Sequence, residues 1–471
     1  MTSIGERLYL ALPPFRDLAA TIKGLSGNRL RYGGSYPEAV ECVSARQSYS
    51  SQEMTQYQAD RLRHILEVAS RHVPYYRDLF ARLGMKPDAI QSEKDLAWLP
   101  ILEKDPVRAD PLQFVDERLD RRKLLTETTT GTTGTPIRVF MTHHALEEHY
   151  AFFEVRCRRT AGFHYGKDPF VTFGVRRVVA RSRTSPPFWC YNYAGRQLYM
   201  SVYHLAPQYL LHYCKELKRR PYRAMMGFPS AITTVAQYVL DEGIHDIHIP
   251  ITITSGETLQ GHQRALIEHA FGGRVYDQYG CSEMALFAAE CRYGRMHISP
   301  DYGLVEIVDD DGRQVPAGKP GHVVCTGLVN DAQILMRYRI GDVASLDSRP
   351  CGCGSTFPVF LSVDGRSANA ILLRDGRRLF RMACIDAEIP CIRQYQIVQE
   401  QMDVFTVYLV TAEGFTERDE RTVRTNLAAS VGPARITVRR VERIAQGPGG
   451  KYASVVSKLR AAGEAAGSNR G

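Results

Sequence analysis

The sequence predicts an α/β protein: a large N-terminal domain with parallel sheet and a β-rich subdomain, then a small mobile α+β domain at the C-terminus. Three observations lead there. Short apolar runs at residues 170–173, 224–226, 251–254 and 274–276 alternate with helical patterns at 208–219, 230–241 and 262–271, the mark of strands and helices wound around a largely parallel sheet. Residues 303–308 and 321–326 then read as strands with no helix between them, and 394–400, 404–410 and 436–441 read as strands around a helix at 418–429. A chain of 471 residues with 44% hydrophobic content exceeds what one core serves, so two or more domains are expected.

Taken in order, residues 1–55 have weak periodicity and several Gly, Ser and Pro, and read as an irregular lead-in to an N-terminal domain over 56–366. Leu62, Ile65, Leu66 and Ala69 recur at helical spacing between Arg61, Arg63 and Glu67, an amphipathic helix that Pro74 closes. Residues 96–105 form a short apolar connection ending in turn chemistry, and 144–159 reads as a helix. In open α/β sheets ligands bind beyond the carboxyl ends of strands. That directs attention to Gly227-Phe228-Pro229-Ser230 and to Ser255-Gly256-Glu257.

The net charge of +9 suits an anionic substrate such as a nucleotide. The basic residues come in scattered pairs, such as Arg176-Arg177 and Arg219-Arg220, without a long run, which argues against nucleic-acid binding. No apolar run reaches membrane-span length and residues 1–20 lack the pattern of a signal peptide, so a soluble cytoplasmic protein is expected. Eleven cysteines at uneven spacing point to reduced thiols, some held by metal, in place of a disulfide framework.

Four stretches carry chemistry. Residues 126–138, Thr-Glu-Thr-Thr-Thr-Gly-Thr-Thr-Gly-Thr-Pro-Ile-Arg, cluster hydroxyls and backbone N–H groups around Gly131 and Gly134, a composition able to wrap a polyphosphate. The alternative is a Thr-rich surface turn. Residues 276–283, Tyr-Asp-Gln-Tyr-Gly-Cys-Ser-Glu, offer an aromatic face for a base, a hydroxyl for a phosphate and a carboxylate for Mg²⁺. Asp342, closing Arg337-Tyr338-Arg339-Ile340-Gly341-Asp342, is placed to accept ribose hydroxyls; its plain reading is a turn acid. Cys291, His297, Cys351 and Cys353 supply three thiolates and an imidazole, enough for a closed tetrahedral zinc site. Small buried hydrophobes are the alternative for those cysteines.

These stretches, with Ser-Gly-Glu at 255–257, Asp-Gly-Arg at 364–366 and Gly-Gly-Lys at 449–451, follow one another in the order found in adenylate-forming enzymes. Over roughly residues 55–460 the chain resembles the phenylacetate–CoA ligase branch of that superfamily, including its relatives in capsular-polysaccharide clusters. His72-Val73-Pro74-Tyr75-Tyr76 and Gly-Phe-Pro-Ser at 227–230 also look like that branch. The resemblance implies that Thr129, Thr130, Gly131, Thr132, Thr133 and Gly134 cover the β- and γ-phosphates of ATP. It places Tyr279 on adenine, Ser282 at the α-phosphate, Glu283 on Mg²⁺ and Asp342 on the ribose. Ser255, Gly256, Glu257, Tyr276, Gln278 and Gly280 complete the nucleotide wall. Arg366 assists at the hinge, and Lys451 swings in with a C-terminal domain spanning 367–471. Where the family often has an acidic pair after Gly-Arg, this chain has Ser367-Ala368-Asn369. The zinc, as in some members of the branch, would be structural.

By the same resemblance the acyl pocket would involve Phe228, Tyr203 and His204, and the tyrosines suggest an aryl acid. The expected activity is ATP-dependent formation of an acyl-adenylate with release of pyrophosphate, then transfer to CoA. An amide ligase using an amine or amino acid is the alternative, and a non-catalytic nucleotide-binding protein lies in another class. The latter predicts loss of Glu283, Asp342, Arg366 and Lys451, all of which are present. A homodimer is plausible from the family alone.

Overall fold

The computed structural model describes residues 13–129, 136–174, 176, 178–366, 370–375, 378–379, 389, 391–444 and 453–459. Strands β1 (Leu125–Thr128) and β2 (Arg138–Met141) form a hairpin. Then come β3 (Phe170–Gly174), β4 (Trp189–Asn192), β5 (Gln197–Ser201), β6 (Ala224–Gly227), β7 (Ile251–Ser255) and β8 (Arg274–Gly280). They are followed by β9 (Phe287–Glu290), β10 (Met296–Ile298), β11 (Gly303–Val308), β12 (Gly321–Gly327), β13 (Tyr338–Asp347) and β14 (Val359–Arg366). From β3 onward these strands make one twelve-stranded sheet, in the order β11-β12-β13-β14-β10-β9-β8-β7-β6-β3-β5-β4.

The sheet has two halves. Strands β5, β3, β6, β7 and β8 are parallel neighbours, joined by the helices Pro207–Lys218, Pro229–Asp241 and Gly261–Phe271. From β8 to β9 the pairing turns antiparallel and stays so to β11. The parallel strands read as near-continuous apolar runs because both faces are covered. Ile253 and Tyr276 pack into one core, while Met225, Val275 and Phe271 pack into another. Each such aliphatic side chain contributes about 1.5–3 kcal/mol on burial.

The chain's last part forms its own core. Strands β15 (Ile371–Leu372) and β16 (Arg378–Leu379) pair, and β17 (Ile392–Gln401), β18 (Val404–Thr411), β19 (Arg435–Arg440) and β20 (Val455–Ser457) make a four-stranded sheet of order β19-β18-β17-β20. The helix Glu417–Val431 covers it, started by a Thr416/Asp419 capping box and burying Val423 and Leu427 against Ile397, Phe405 and Val407.

One expectation needs correction. The stretch expected to be an irregular lead-in is helical over Pro13–Tyr32 and Tyr36–Ala45. Gly24, which suggested a break, is a packing contact: a Cβ there would lie 2.3 Å from Asn192 Oδ1. The amphipathic helix expected to be closed by Pro74 runs over Ser51–His72, and a second follows directly over Pro74–Leu83. Pro74 ends the first and, lacking an N–H that a first turn leaves unused, begins the second.

Gly227 closes β6 at φ +155°, and a Cβ there would stand 2.0 Å from the Phe173 carbonyl oxygen. Gly227→Ala is expected to lower stability by about 1–3 kcal/mol, read as a lower urea midpoint. An unchanged midpoint would contradict this packing.

Candidate active site

A cavity of about 470 Å³ opens at the carboxyl ends of β7 and β8, where an open α/β sheet is expected to bind ligands. Gly256, Glu257, Gln278, Tyr279 and Gly280 form one wall, and Asp342, Phe360 and Arg366 form a second. Ala453, Ser454 and Val455 of the C-terminal part close it. Gly256, at φ +80°, supports the turn that ends β7. Glu257 accepts a hydrogen bond from the Ser230 N–H at 3.1 Å, joining the Ser-Gly-Glu turn to the start of the helix after β6.

Within the cavity Asp342 is held from two sides. The Tyr279 hydroxyl donates to its Oδ2 at 2.7 Å, and Arg366 Nε lies 3.1 Å from its Oδ1. Register explains the meeting, since Asp342 on β13 stands opposite Arg366 on β14. Asp342 raises the Arg366 guanidinium above its usual value, and burial with Asp342 beside it pushes the Tyr279 phenol well up. Tyr279 therefore stays a neutral donor. Its ring meets Phe360 edge to face at 5.8 Å.

Glu283 lies just beyond the Tyr279 strand and is buried. The Tyr338 hydroxyl donates to its Oε1 at 3.0 Å, and Lys104 Nζ stands 3.7 Å from the same oxygen. Sequence reasoning missed Lys104. Backbone bonds bring it there: Leu102 N–H donates to Arg337 O and Arg339 N–H to Leu102 O, each at 2.9 Å, so residue 102 adds a parallel bridge to β13. Burial lowers the Lys104 ammonium from its usual value, and Glu283 partly offsets this. A lysine two residues after the apolar run at 96–102 was the available signal.

A second carboxylate pair backs the cavity. Asp277 Oδ1 accepts from Thr254 Oγ1 at 2.7 Å, while the Asp277 N–H donates to Glu290 Oε2 at 2.9 Å and Arg264 pairs with Glu290 Oε1 at 2.6 Å. Burial pushes the Asp277 carboxyl up to about 7; Thr254 opposes the shift and Glu290 adds to it.

The other expected site residues are more scattered. Thr129 closes the neck of the Thr/Gly loop, its N–H donating to Ile137 O and its Oγ1 accepting from Ile137 N–H, both at 2.9 Å. Thr130, Gly131, Thr132, Thr133, Gly134 and Lys451 lie outside the described residues. Ser282 is exposed beside the cavity strand, and Ser255 and Tyr276 belong to β7 and β8 without lining the cavity. Tyr203, His204 and Phe228, expected at the acyl pocket, do not line this cavity. His204 is buried, shares a 2.8 Å hydrogen bond with Ser201 and stacks on Phe188 at 4.8 Å. Tyr203 lies under the Arg181 guanidinium at 4.2 Å, and Phe228 is buried in the core beside Val235.

The Cys/His set does converge. The donor atoms of Cys291, His297, Cys351 and Cys353 all lie within 4.8 Å of one another. Cys291 Sγ is 3.6 Å from Cys351 Sγ, and Cys353 Sγ is 3.4 Å from His297 Nε2. A tetrahedral zinc with its usual bond lengths sets such pairs about 3.6–3.8 Å apart. His297 Nδ1 faces Phe357 O at 3.2 Å, which leaves Nε2 as the ligand atom, and burial lowers the ring's basicity. The set joins the β9–β10 hairpin to the turn between β13 and β14. With four protein donors it has no open coordination position.

Residues 379–458 match the family model of the CapK C-terminal domain. The chain is 25% identical to Protein CapK of Staphylococcus aureus over 335 residues, 71% of each chain. It is 26% identical to the phenylacetate-coenzyme A ligase of Pseudomonas putida over 329 residues, 68% of this chain and 72% of that one. Among solved structures, 2-hydroxyisobutyryl-CoA ligase in the postadenylation state superposes with a TM-score of 0.68 at 20% identity, over 88% of this chain and 91% of that one. The same ligase in its thioesterification state gives 0.56 at 21% identity, again over 88% and 91%. By sequence the chain is similar to CapK and to phenylacetate-coenzyme A ligases, and by fold to 2-hydroxyisobutyryl-CoA ligase.

The raised Asp277 pKa carries a pH signature. An acid whose folded pKa exceeds its unfolded value near 3.9 binds its proton more tightly when folded, so its contribution is present below the unfolded pKa and lost as pH rises through about 7. Asp277→Asn should flatten the stability profile between about pH 4 and pH 7 in denaturant titrations. A profile unchanged by the substitution would refute this assignment.

Proposed function

We propose that this protein is an AMP-forming acid–thiol ligase, which condenses a carboxylic acid with ATP to an acyl-adenylate and pyrophosphate and then passes the acyl group to CoA with release of AMP. One observation carries the reading. The cavity at the ends of β7 and β8 gathers Tyr279, Asp342 and Arg366 on one side and Ala453 to Val455, just after Lys451 in sequence, on the other. A carboxylate attacking an α-phosphate needs neutralised charge and in-line positioning more than covalent help from side chains.

The residues divide accordingly. The Thr/Gly loop from Thr129 would hold the β- and γ-phosphates, and Ser282 the α-phosphate. The ring of Tyr279 would carry adenine. Asp342 would exchange its bonds to Tyr279 and Arg366 for the ribose hydroxyls, leaving Arg366 to face the nucleotide. Glu283 is a buried carboxylate with acceptor capacity left beside Tyr338, which fits a Mg²⁺ ligand; the ion would neutralise phosphate charge. Lys104 would keep Glu283 compensated before nucleotide arrives. Lys451 would bridge the attacking carboxylate and the α-phosphate. A C-terminal domain beginning near residue 367 would then rotate to admit the thiol. The cluster of Cys291, His297, Cys351 and Cys353 would hold a structural zinc, consistent with its spacing. An aryl acid remains the proposed substrate class.

Acid-dependent pyrophosphate release from ATP, measured over aryl, alkyl and amino acids with and without CoA, tests the reading. We expect release with one acid class and sustained turnover only with CoA. Turnover with an amine in place of CoA would move the acceptor to an amide ligase, and no release with any acid would overturn the activity. Lys451→Ala should cut adenylation about 100-fold or more, on the order of 3 kcal/mol in the barrier, with the melting temperature unchanged.

Elemental analysis of the purified chain should find one zinc per chain, lost in Cys353→Ser together with a lower melting temperature. A metal-free protein of undiminished stability would return the four residues to ordinary packing.

A further inference from the structure

The N-terminal helix Pro13–Tyr32 has two faces. Its inner face buries Arg16 and Ala20 and fits Gly24 against Asn192. Its outer face presents Phe15, Leu18, Ile22 and Leu25, each 54–59% exposed. Their spacing of three and four residues makes one continuous apolar stripe along the helix. Lys23 and Arg29 are exposed among them. The helix's sole acid, Asp17, is turned to the body, where it accepts from the Tyr191 N–H at 2.8 Å.

Beside this helix runs a groove lined by Trp189, Tyr191, Tyr193, Lys215 and Arg220, with Arg219 paired to Glu216 at 3.2 Å and Asp17 on its helix side. The Arg220 guanidinium lies 4.4 Å over the Tyr191 ring, and Tyr193 is 57% exposed. Tyr193 is tied to the helix by its N–H, which donates to Thr21 Oγ1 at 3.1 Å. Stripe and groove therefore form one surface, apolar and aromatic within and cationic at its edges.

We propose that this surface docks the protein on an anionic lipid bilayer, with the helix lying in the plane of the interface. An apolar stripe flanked by lysine and arginine is the pattern of interfacial helices, and indole and phenol rings sit at headgroup depth. Contiguous exposed apolar surface of this kind marks an interaction site. Charge decides the partner: anionic headgroups complement the exposed Lys23, Arg29, Lys215 and Arg220. Among the described residues no helix is long and apolar enough to cross a membrane, so the contact is peripheral.

Co-sedimentation of the full chain with vesicles tests this, using phosphatidylcholine alone and an equimolar mixture with phosphatidylglycerol. The chain should bind the mixed vesicles, bind phosphatidylcholine at least about tenfold more weakly, and lose binding as salt rises. Leu18→Glu/Ile22→Glu should weaken binding to mixed vesicles about tenfold or more, with near-ultraviolet circular dichroism and melting temperature unchanged. Equal binding by that variant would overturn the proposal. So would failure of the native chain to bind mixed vesicles, including the case in which it forms a dimer that the variant abolishes.

Discussion

Strand β8 is where the molecule changes character, and the site follows from that change. On one side β8 runs parallel to β7, and on the other it pairs antiparallel with β9. A parallel neighbour must be reached through a crossover, so β7 and β8 end at the same edge and expose Ser255 to Glu257 beside Gln278 to Gly280. An antiparallel neighbour needs only a short turn, and that turn carries Cys281, Ser282 and Glu283. The residues that could face a base, a phosphate and a metal are thus delivered by one strand and its following turn. Beyond β9, the antiparallel half brings β13 and β14 round so that Asp342 and Arg366 meet Tyr279.

The Arg337 to Asp342 stretch does more than present one acid. Arg337 sits at φ +46°, a conformation that non-glycine residues adopt at a cost on the order of 1–3 kcal/mol. Its guanidinium offsets that cost by bonding Glu306 through Nε and Nη2, at 3.1 and 2.9 Å, and by donating from Nη1 to Leu99 O at 2.7 Å. A buried ion pair adds little net stability over a well-packed apolar pair, and its better-attested use is to fix register. Here it fixes residues 97–102 against β13, and that placement carries Lys104 to Glu283.

Much of this was legible in the sequence for physical reasons. Period and length identified β3, β6, β7 and β8 and the helices between them, because buried parallel strands read as unbroken apolar runs bounded by helical patterns. Cys351 and Cys353 were legible because the flanking glycines remove the bulk that a core position would supply. Lys104 was not, since its place depends on a bridge to a strand more than two hundred residues later. Tyr203 and His204 are harder to read from sequence, since aromatic and imidazole rings after a strand suit a pocket and a core alike, and the stacking of His204 on Phe188 shows only in the structure. The helix at 13–32 was hidden in part by Gly24, whose role is fit against Asn192, which only the partner reveals.

Polar side chains join the two parts of the chain. Arg393 pairs with Asp241, and Gln394 Nε2 lies 3.5 Å from Thr234 Oγ1, both on the helix that follows β6. Partly exposed contacts of this sort contribute between roughly zero and 1 kcal/mol each, whereas the cores on either side, around Ile253 and around Ile397, are separately closed. Such a division leaves each part able to hold its own shape while their relative position is held weakly. Under the proposed ligase reading, Ala453 to Val455 would wall the nucleotide for adenylation and then give way to a thiol, a change that weak polar contacts between separately closed cores would allow without unfolding either.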